Sequence, residues 1–225
     1  MILNIFTINN KFVDCMKKIK RKKHLEMRIQ SIPPHPKPKV ELEQYATPSV
    51  IASDLLWNAL SLGDIENKNV LDLGCGCGIF SIGSCLLGAD SAIGIDIDEE
   101  SINLALKTAS DFSIDNIEFI LSDVFDFDDD LNVDTIFQNP PFGSQKNAER
   151  GIDLEFVKKA REFDADVLYS FHMASTEEFL INYYENLSFD ITHIFRYSFP
   201  IPKIYEFHKN EFQNVDVIVI RSKII

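Results

Sequence analysis

The residues best suited to chemistry form the short motif Asn139-Pro140-Pro141-Phe142, directly after a predicted strand. Two consecutive prolines restrict the backbone and supply carbonyl acceptors but no N–H donors, and the Asn139 side chain adds another acceptor. Two acceptors that converge on an amino group can direct its lone pair at an electrophile, while Phe142 offers a flat face for ring stacking. Alone, the motif also fits a rigid turn that closes a strand. In a binding site it predicts attack by an exocyclic amine, promoted by orientation and electrostatics.

A second motif, Gly74-Cys75-Gly76-Cys77-Gly78, joins a short apolar strand to a helix. It lacks the G-x-G-x-x-G spacing of dinucleotide sites, since position 79 is Ile, and it lacks the Gly-Lys-Ser/Thr of a Walker loop. The loop therefore favours a nucleoside without a pyrophosphate. Asp96 ends the next strand and can accept from ribose hydroxyls, while Asp123 follows the third strand and can accept from an adenine amino group.

No metal site is predicted, because the Cys75-x-Cys77 pair has no second cysteine pair at zinc-binding spacing. These cysteines are interpreted as small loop residues. The combination of glycine loop, Asp96, Asp123 and Asn139 resembles the class I S-adenosylmethionine-dependent methyltransferases.

The likeness extends to a narrower family, the N6-adenosine methyltransferases of small-subunit ribosomal RNA. The segments that resemble that family are Leu42–Pro48, Asp72–Ile79, Gly94–Asp98, Asn139–Gly143, Tyr169–His172 and Tyr205–Lys209. The resemblance implies S-adenosyl-L-methionine as cofactor and Asn139, Pro140, Pro141 and Phe142 as the catalytic motif. It implies cofactor contacts at Gln44, Thr47, Asp72, Gly74, Cys77, Gly78, Ile79, Asp96, Asp123 and Val124. It also implies a small zinc-binding activator subunit that adds a strand at the Ile117–Leu121 sheet edge.

The Asn-Pro-Pro-aromatic motif does not select the substrate, since enzymes acting on adenine N6, cytosine N4 and a glutamine amide share it. The leading hypothesis is methyl transfer to adenosine N6 in RNA, most simply small-subunit rRNA. One alternative is a protein glutamine N5-methyltransferase, whose activity would survive deletion of residues 17–28. Another is a non-catalytic RNA-binding ribosome-assembly factor that retains the cofactor pocket.

Charge is divided unevenly along the chain. The formal net charge is −13, yet residues 1–39 hold 10 Lys and Arg against 2 acidic residues, and residues 40–225 carry net −21. Such a basic arm can neutralise phosphates, although a charge run is often only a solvated terminus. A second basic cluster follows Asn139. Within it and the late aromatic segment, Lys146, Arg150 and Lys209 are candidate substrate contacts.

Hydrophobic periodicity predicts an α/β fold, a doubly wound, mostly parallel Rossmann-like sheet of seven strands with an antiparallel last strand. Strands are predicted at 69–73, 92–97, 117–121, 135–138, 165–170, 191–197 and 215–220, and helices at 50–62, 79–87, 99–110, 154–162 and 175–186. Four prolines between positions 33 and 38 predict a linker. We expect a basic extension and linker over 1–39 and one methyltransferase domain over 40–225.

Composition excludes several classes of protein. The 225 residues are 45% hydrophobic and 25% charged, which is ordinary for a globular chain and excludes collagen-like or low-complexity classes. The sequence contains no apolar run of about 18 residues, so no membrane contact is predicted. Four cysteines do not make a disulfide framework, and a cytoplasmic, reduced location is expected.

Overall fold

A computed structural model describes residues 19–39, 43–44, 46–142, 151–202 and 212–224 of the chain. The helices are α1 (Lys22–Ile29), α2 (Ser49–Ser61), α3 (Ile79–Leu86), α4 (Glu99–Asp111), α5 (Ile152–Glu162) and α6 (Glu177–Asn186). The strands are β1 (Asn69–Leu73), β2 (Ser91–Asp96), β3 (Ile117–Leu121), β4 (Thr135–Gln138), β5 (Val167–Met173), β6 (Phe189–Pro202) and β7 (Phe212–Ile224).

The strands form one sheet in the order β3-β2-β1-β4-β5-β7-β6. The first five strands in this order pair in parallel, whereas β7 pairs antiparallel with both β5 and β6. The predicted seven-stranded sheet with an antiparallel last strand is confirmed. Because β1 lies between β2 and β4, the strand order reverses there, and ligands of such sheets bind at the carboxyl ends beside this switch point.

Alternating side chains send two apolar layers to opposite faces of the sheet. On one face, Val70 and Phe137 pack with α1, α2 and α3; on the other, Leu71 and Ile136 pack with α5 and α6. Both faces are covered, which explains why four of the five residues of β1 and all four residues of β4 are buried. Within the described ranges, no helix is long and apolar enough to span a membrane.

The first helix, α1, lies before the domain boundary that the sequence predicts at residue 39. Its Leu25 and Ile29, one turn apart, are fully buried in the core against α2 and α3. This part of the basic segment therefore packs on the sheet's helical layer, and its exposed face carries the charge. The boundary between residues 39 and 40 stays a prediction.

The final hairpin is longer than hydrophobic periodicity suggests. Strand β6 continues through Pro200 and ends at Pro202, where the sequence predicts irregular chain. Proline cannot donate to a β-ladder, but β6 is the outer strand of the sheet, with only one ladder to satisfy. Strand β7 also begins three residues before and ends four residues after its predicted range, whereas the boundaries of the other predicted strands and helices differ by no more than three residues.

The Phe119 side chain of β3 explains why glycine is required at positions 78 and 94, which both pack against its ring. A Cβ at Gly78 would lie 2.8 Å from the ring's Cζ, and one at Gly94 would lie 2.7 Å from its Cδ1. Gly78 also has φ +80°, whereas Gly94 does not have a positive φ. Gly63, with φ +82°, has no heavy atom within 4 Å of an added Cβ.

These three glycines separate backbone strain from steric overlap in a stability measurement. We expect Gly63→Ala to cost about 1–2 kcal/mol of unfolding free energy through its left-handed backbone alone. Gly94→Ala is expected to cost about 1–3 kcal/mol through overpacking, and Gly78→Ala about the sum of the two. Urea unfolding of the three variants tests this; a Gly78→Ala variant no less stable than Gly63→Ala would contradict the role assigned to Phe119.

Candidate active site

A cavity of about 680 Å³ opens at the carboxyl ends of β1, β2, β3 and β4. Its wall combines the glycine loop, acidic residues that follow β2 and β3, and Asn139 after β4. The volume suits a nucleoside-sized ligand together with part of a substrate. The N-terminal segment forms a further wall, to which Ile29, Pro33, Pro34 and His35 contribute.

Asp96 organises the glycine loop. Its Oδ2 accepts from the backbone N–H of Gly76 at 2.7 Å, and its Oδ1 accepts from the N–H of Asp98 at 2.9 Å. Burial raises the pKa of the Asp96 carboxyl, although these two backbone hydrogen bonds oppose the shift. In the part of the chain that the structure describes, a Cβ at Gly76 would meet no heavy atom within 4 Å. The loop thus presents bare backbone to the cavity beside a carboxylate that retains acceptor capacity.

Asp98 caps α4 and anchors the N-terminal segment. Its Oδ2 accepts from the N–H and Oγ of Ser101, each at 3.0 Å, and lies 2.8 Å from His35 Nε2. The Lys39 ammonium donates to Oδ1. Burial raises the pKa of Asp98, but the hydrogen bonds from Lys39, Ser101 and His35 outweigh it and lower the pKa well below its ordinary value. The cavity wall at His35 is therefore tied to the end of β2.

The cavity has an apolar end beside Asp123. Val124 is buried, whereas the side chains of Ile97 and Phe125 are 54% and 40% exposed. The Phe125 ring makes an edge-on contact with Phe156, at 5.2 Å between ring centroids. Exposed apolar side chains that border a cavity are typical of a ligand site. Their position beside a carboxylate fits a nucleobase.

Asn139 lies at the opposite end. Its Nδ2 donates to Thr47 Oγ1 at 3.0 Å. Its Oδ1 is buried and has no hydrogen-bond partner among the residues that the structure describes. A buried acceptor without a donor is costly, so the site is poised to receive an N–H group there. The next contact along the motif joins the Phe142 N–H to Glu43 Oε2 at 2.6 Å.

Asp72 supports the glycine loop from below rather than from the cavity. Helix α3 begins after Gly78, which has no side chain to cap it. Asp72 on β1 supplies the acceptor instead, since its Oδ2 receives the N–H of Ser81 at 3.0 Å and the Ser81 hydroxyl at 2.6 Å. Burial raises the pKa of Asp72 to about 7, although the two Ser81 hydrogen bonds oppose the shift.

This raised pKa predicts a pH-dependent stability. Because the folded-state pKa is about 7 against an ordinary 3.8, folding takes up a proton between these values, and the stabilising contribution is lost as pH rises through 7. Asp72→Asn keeps an acceptor oxygen and stays neutral. Its stability relative to the unsubstituted protein is expected to rise by about 2–3 kcal/mol between pH 5 and pH 8. Urea unfolding at both pH values measures this, with the exposed Asp111→Asn as control. A constant difference would contradict the assignment.

The cavity wall includes eight of the ten residues predicted to contact the cofactor. They are Gln44, Thr47, Gly74, Cys77, Ile79, Asp96, Asp123 and Val124. Asp72 and Gly78 lie outside the wall, where Asp72 caps α3 and Gly78 packs on Phe119. Their contact with the cofactor stays a prediction.

Two of the four residues of the predicted catalytic motif line the cavity. Asn139 and Pro141 line the cavity, Pro140 is buried, and Phe142 packs partly buried against the main core. The role of Phe142 as a stacking face for a base stays a prediction. The predicted substrate contacts lie outside the described residues; they are Lys146, Arg150 and Lys209.

Sequence reasoning missed three parts of the wall. His35 and its neighbouring prolines were interpreted as a linker, and Glu43 carried no signal of its own beyond its place in a family-like segment. Phe125 and Phe156 are apolar residues that sequence alone would assign to a core. A signal existed only for Phe125, which directly follows the predicted cofactor contacts Asp123 and Val124.

Comparison with known proteins agrees with this geometry. Residues 50–165 match the family described as Methyltransferase small domain. A protein of Methanocaldococcus jannaschii is 43% identical over 211 residues, which cover 89% of this chain and 93% of that protein. The rRNA N(6)-adenosine-methyltransferase METTL5 of Danio rerio is 34% identical over 202 residues, covering 88% of this chain and 97% of the relative.

The fold is also that of solved proteins. A crystal structure from Pyrococcus horikoshii is 37% identical, with a TM-score of 0.82, and the alignment covers 92% of this chain and all of that one. A Thermoplasma acidophilum structure is 26% identical with a TM-score of 0.69, covering 90% and 96% of the two chains. Both alignments extend well beyond the glycine loop and include most of the sheet.

Proposed function

We propose that this chain, which belongs to the methyltransferase small domain family and to the METTL5 family, methylates adenosine N6 in RNA. The substrate we infer is small-subunit ribosomal RNA. The reaction is that of the METTL5 relatives, and the site described above contains groups suited to both reactants. A cytoplasmic location is part of the same proposal.

The cofactor is S-adenosyl-L-methionine, and the residues of the cavity fit it. The bare Gly76 backbone suits the close approach of its methionine part. The Asp96 carboxylate would suit the ribose hydroxyls, the apolar Ile97 and Val124 would suit the adenine ring, and Asp123 could accept from its amino group. When bound, the cofactor supplies an electrophilic methyl group, which passes to the target nitrogen as the S–C bond breaks with its electron pair kept by sulfur and a proton leaves that nitrogen for water.

The observation that carries the proposal is the Asn139 Oδ1 atom on the cavity wall, which is buried and has no hydrogen-bond partner within the described ranges. It can accept one N–H of the target amine, and the neighbouring Pro140 carbonyl is proposed to accept the other. These two hydrogen bonds favour a tetrahedral nitrogen and aim its lone pair at the methyl group. Because the acceptors are preorganised and partly shielded from water, they need no general base to be effective.

RNA as the substrate is supported by the charge of α1. Lys20, Arg21, Lys23 and Arg28 are exposed, and the helix ends at Ile29, which lines the cavity. Phosphates held along this face would reach the cavity entrance. Deleting residues 17–28 is not a clean test, because the deletion would also remove the buried Leu25.

The class of substrate is tested with labelled S-adenosylmethionine, offered together with ribosomal RNA and total cell protein. We expect the label in RNA. Replacing Lys20, Arg21 and Lys23 together by Gln should raise the KM for RNA, whereas the control Lys107→Gln on α4 should leave this KM unchanged. Label in protein glutamine would replace the proposal with the glutamine methyltransferase. No label despite cofactor binding, with the activator present, would favour the assembly factor.

We further propose that a small zinc-binding activator subunit pairs with β3. This strand is the outer strand at one side of the sheet, and its Leu121 is 51% exposed. No group of three or more His, Cys, Asp or Glu in the described ranges could hold a metal, so the zinc would be held by the partner.

A charge at this edge is expected to prevent the association. Leu121→Lys should weaken binding of the activator subunit at least about tenfold, because it places an ammonium in an apolar contact. Phe179→Lys is the matched control, since Phe179 is 56% exposed on α6. Calorimetric titration of each variant with the activator measures both affinities. Equal loss in the two variants, or none in Leu121→Lys, would place the partner elsewhere.

A further inference from the structure

The short segment that precedes α2 makes two hydrogen bonds with the predicted catalytic motif. Thr47 Oγ1 receives the Asn139 Nδ2–H at 3.0 Å, and Glu43 Oε2 receives the Phe142 N–H at 2.6 Å. Both side chains are buried, at 8% and 6% exposed, and both residues line the cavity. The two contacts lie on either side of Pro140 and Pro141.

The Thr47 contact determines how the Asn139 amide is used. With Nδ2 occupied by Thr47, the plane of the amide is held and Oδ1 is the atom left without a partner in the described structure. If the Thr47 oxygen were absent, Nδ2 would lose this hydrogen bond, and the amide could rotate. The cavity would then present an acceptor to the target amine for only part of the time.

The Glu43 contact holds the other end of the motif at a cost to the backbone. Glu43 has φ +46°, a left-handed conformation that is uncommon for residues other than glycine. Such strain persists where the surroundings determine the conformation, and it concentrates at functional sites. A carboxylate that accepts a backbone N–H at 2.6 Å makes a charge-assisted hydrogen bond. It fixes the peptide that follows Pro141.

The same segment is connected to the cofactor side of the cavity. Gln44 Oε1 accepts the Lys39 N–H at 2.8 Å, and the Lys39 ammonium donates to Asp98. Asp98 in turn donates its own N–H to Asp96 at 2.9 Å. A continuous set of hydrogen bonds therefore joins Asp96, which is proposed to bind the ribose, to the segment that contacts Asn139.

We propose that Glu43 and Thr47 are positioning residues that hold the Asn139–Phe142 motif in its amine-accepting arrangement. Thr47 acts through the Asn139 side chain, and Glu43 acts through the Phe142 backbone. This inference rests on the proposed function, because it assigns both residues to the methyl-transfer step. It departs from the family-derived role of Thr47 as a cofactor contact.

Thr47→Val and Thr47→Ser separate the two roles of Thr47. We expect Thr47→Val to lower kcat about 10- to 100-fold, since misplacing a reacting group by a fraction of an ångström has effects of this size. The Kd for S-adenosylhomocysteine should change less than threefold, and Thr47→Ser should restore kcat to within a few-fold. An unchanged kcat with a Kd raised tenfold would overturn the inference and make Thr47 a cofactor contact.

Glu43→Gln and Glu43→Ala test the second contact. Gln keeps an acceptor oxygen for the Phe142 N–H, so its kcat should stay within about fivefold of the unsubstituted protein, while Ala should lose more than tenfold. Thermal unfolding identifies any variant that fails to fold, and the conservative Gln and Ser variants keep the comparison valid. Equal kcat values for Glu43→Ala and Glu43→Gln would contradict the positioning role of Glu43.

A readout without substrate separates this inference from the proposed function. In ¹H–¹⁵N spectra, the Asn139 side-chain NH₂ signal is identified by its loss in Asn139→Ala. We expect its exchange with water to be at least tenfold faster in Thr47→Val than in the unsubstituted protein. That result supports the contact even if RNA is not methylated, in which case only the proposed function fails. Unchanged exchange would overturn the inference whatever the substrate.

Discussion

Replacing Asn139 by Ala is expected to lower methyl transfer about 10²- to 10³-fold, the range seen when one preorganised hydrogen-bonding group is removed from an active site. The Oδ1 atom is the buried acceptor proposed to orient the target amine, and Ala has no atom that can replace it. The Kd for S-adenosylhomocysteine should stay within about threefold, because the glycine loop, Asp96 and Asp123 are untouched. Single-turnover kinetics and calorimetry measure the two quantities separately.

Two further variants sharpen this prediction. Asn139→Asp keeps an acceptor oxygen but replaces the NH₂ that donates to Thr47 with a second acceptor, so its rate should lie between those of the unsubstituted protein and Asn139→Ala. Asn182→Ala removes an exposed amide on α6 that donates to Glu178 O, and this variant should transfer methyl groups normally. Normal turnover by Asn139→Ala would contradict the role given to Oδ1, since no other acceptor of this motif's side chains could replace it.

Breaking the buried ion pair of Asp64 and Arg221 is expected to cost about 3–5 kcal/mol of unfolding free energy. Arg221 on β7 donates from Nε and Nη2 to the two carboxylate oxygens of Asp64, at 2.8 and 2.9 Å. Tyr169 donates its hydroxyl to the same carboxylate, and Arg221 Nη1 donates to Thr192 at 2.6 Å. Either single Ala substitution leaves a buried charge without its partner, which explains the large cost.

The double Ala substitution and a surface pair serve as controls. The double variant should lose well under the sum of the single losses, with a coupling of about 1–3 kcal/mol, because neither charge is then left unpaired. Asp111→Ala breaks an exposed pair with Lys107, whose side chain is 72% exposed, and should change stability by less than about 1 kcal/mol. Urea unfolding measures all four proteins. Additive single losses would show that the pair acts as two independent residues.

The parts of the site that sequence predicts well are those set by neighbours in the chain. The glycine loop is enclosed by β1 and α3, and Asp96 and Asn139 each end or directly follow a strand, so local patterning suffices to bring them to one edge of the sheet. Because β2, β1 and β4 are adjacent and parallel, their carboxyl ends bring these residues together at one edge of the sheet. These strands are predicted from short, mostly apolar runs, which fits a sheet whose two faces are both covered.

The parts that sequence misses depend on pairing between distant residues. Glu43 meets Phe142 across 99 positions, and Asp64 meets Arg221 across 157. No local period encodes such contacts. In α1 most residues are charged or polar, so the sequence does not draw attention to Leu25 and Ile29, which are four positions apart and form the buried face of the helix. In β6 the prolines suggest irregular chain, and only the strand's outer position in the sheet makes them acceptable.

The central claim is that Asn139 holds an exocyclic amine for methylation, and the most direct test is to identify the methylated atom. Ribosomal RNA would be incubated with the protein, the proposed activator subunit and S-adenosylmethionine, then digested to nucleosides that mass spectrometry identifies against standards. The account predicts N6-methyladenosine as the main product, absent when Asn139 is Ala. Methyl groups on adenine N1 or C2, or on ribose 2′-oxygen, with none on an exocyclic nitrogen, would contradict it.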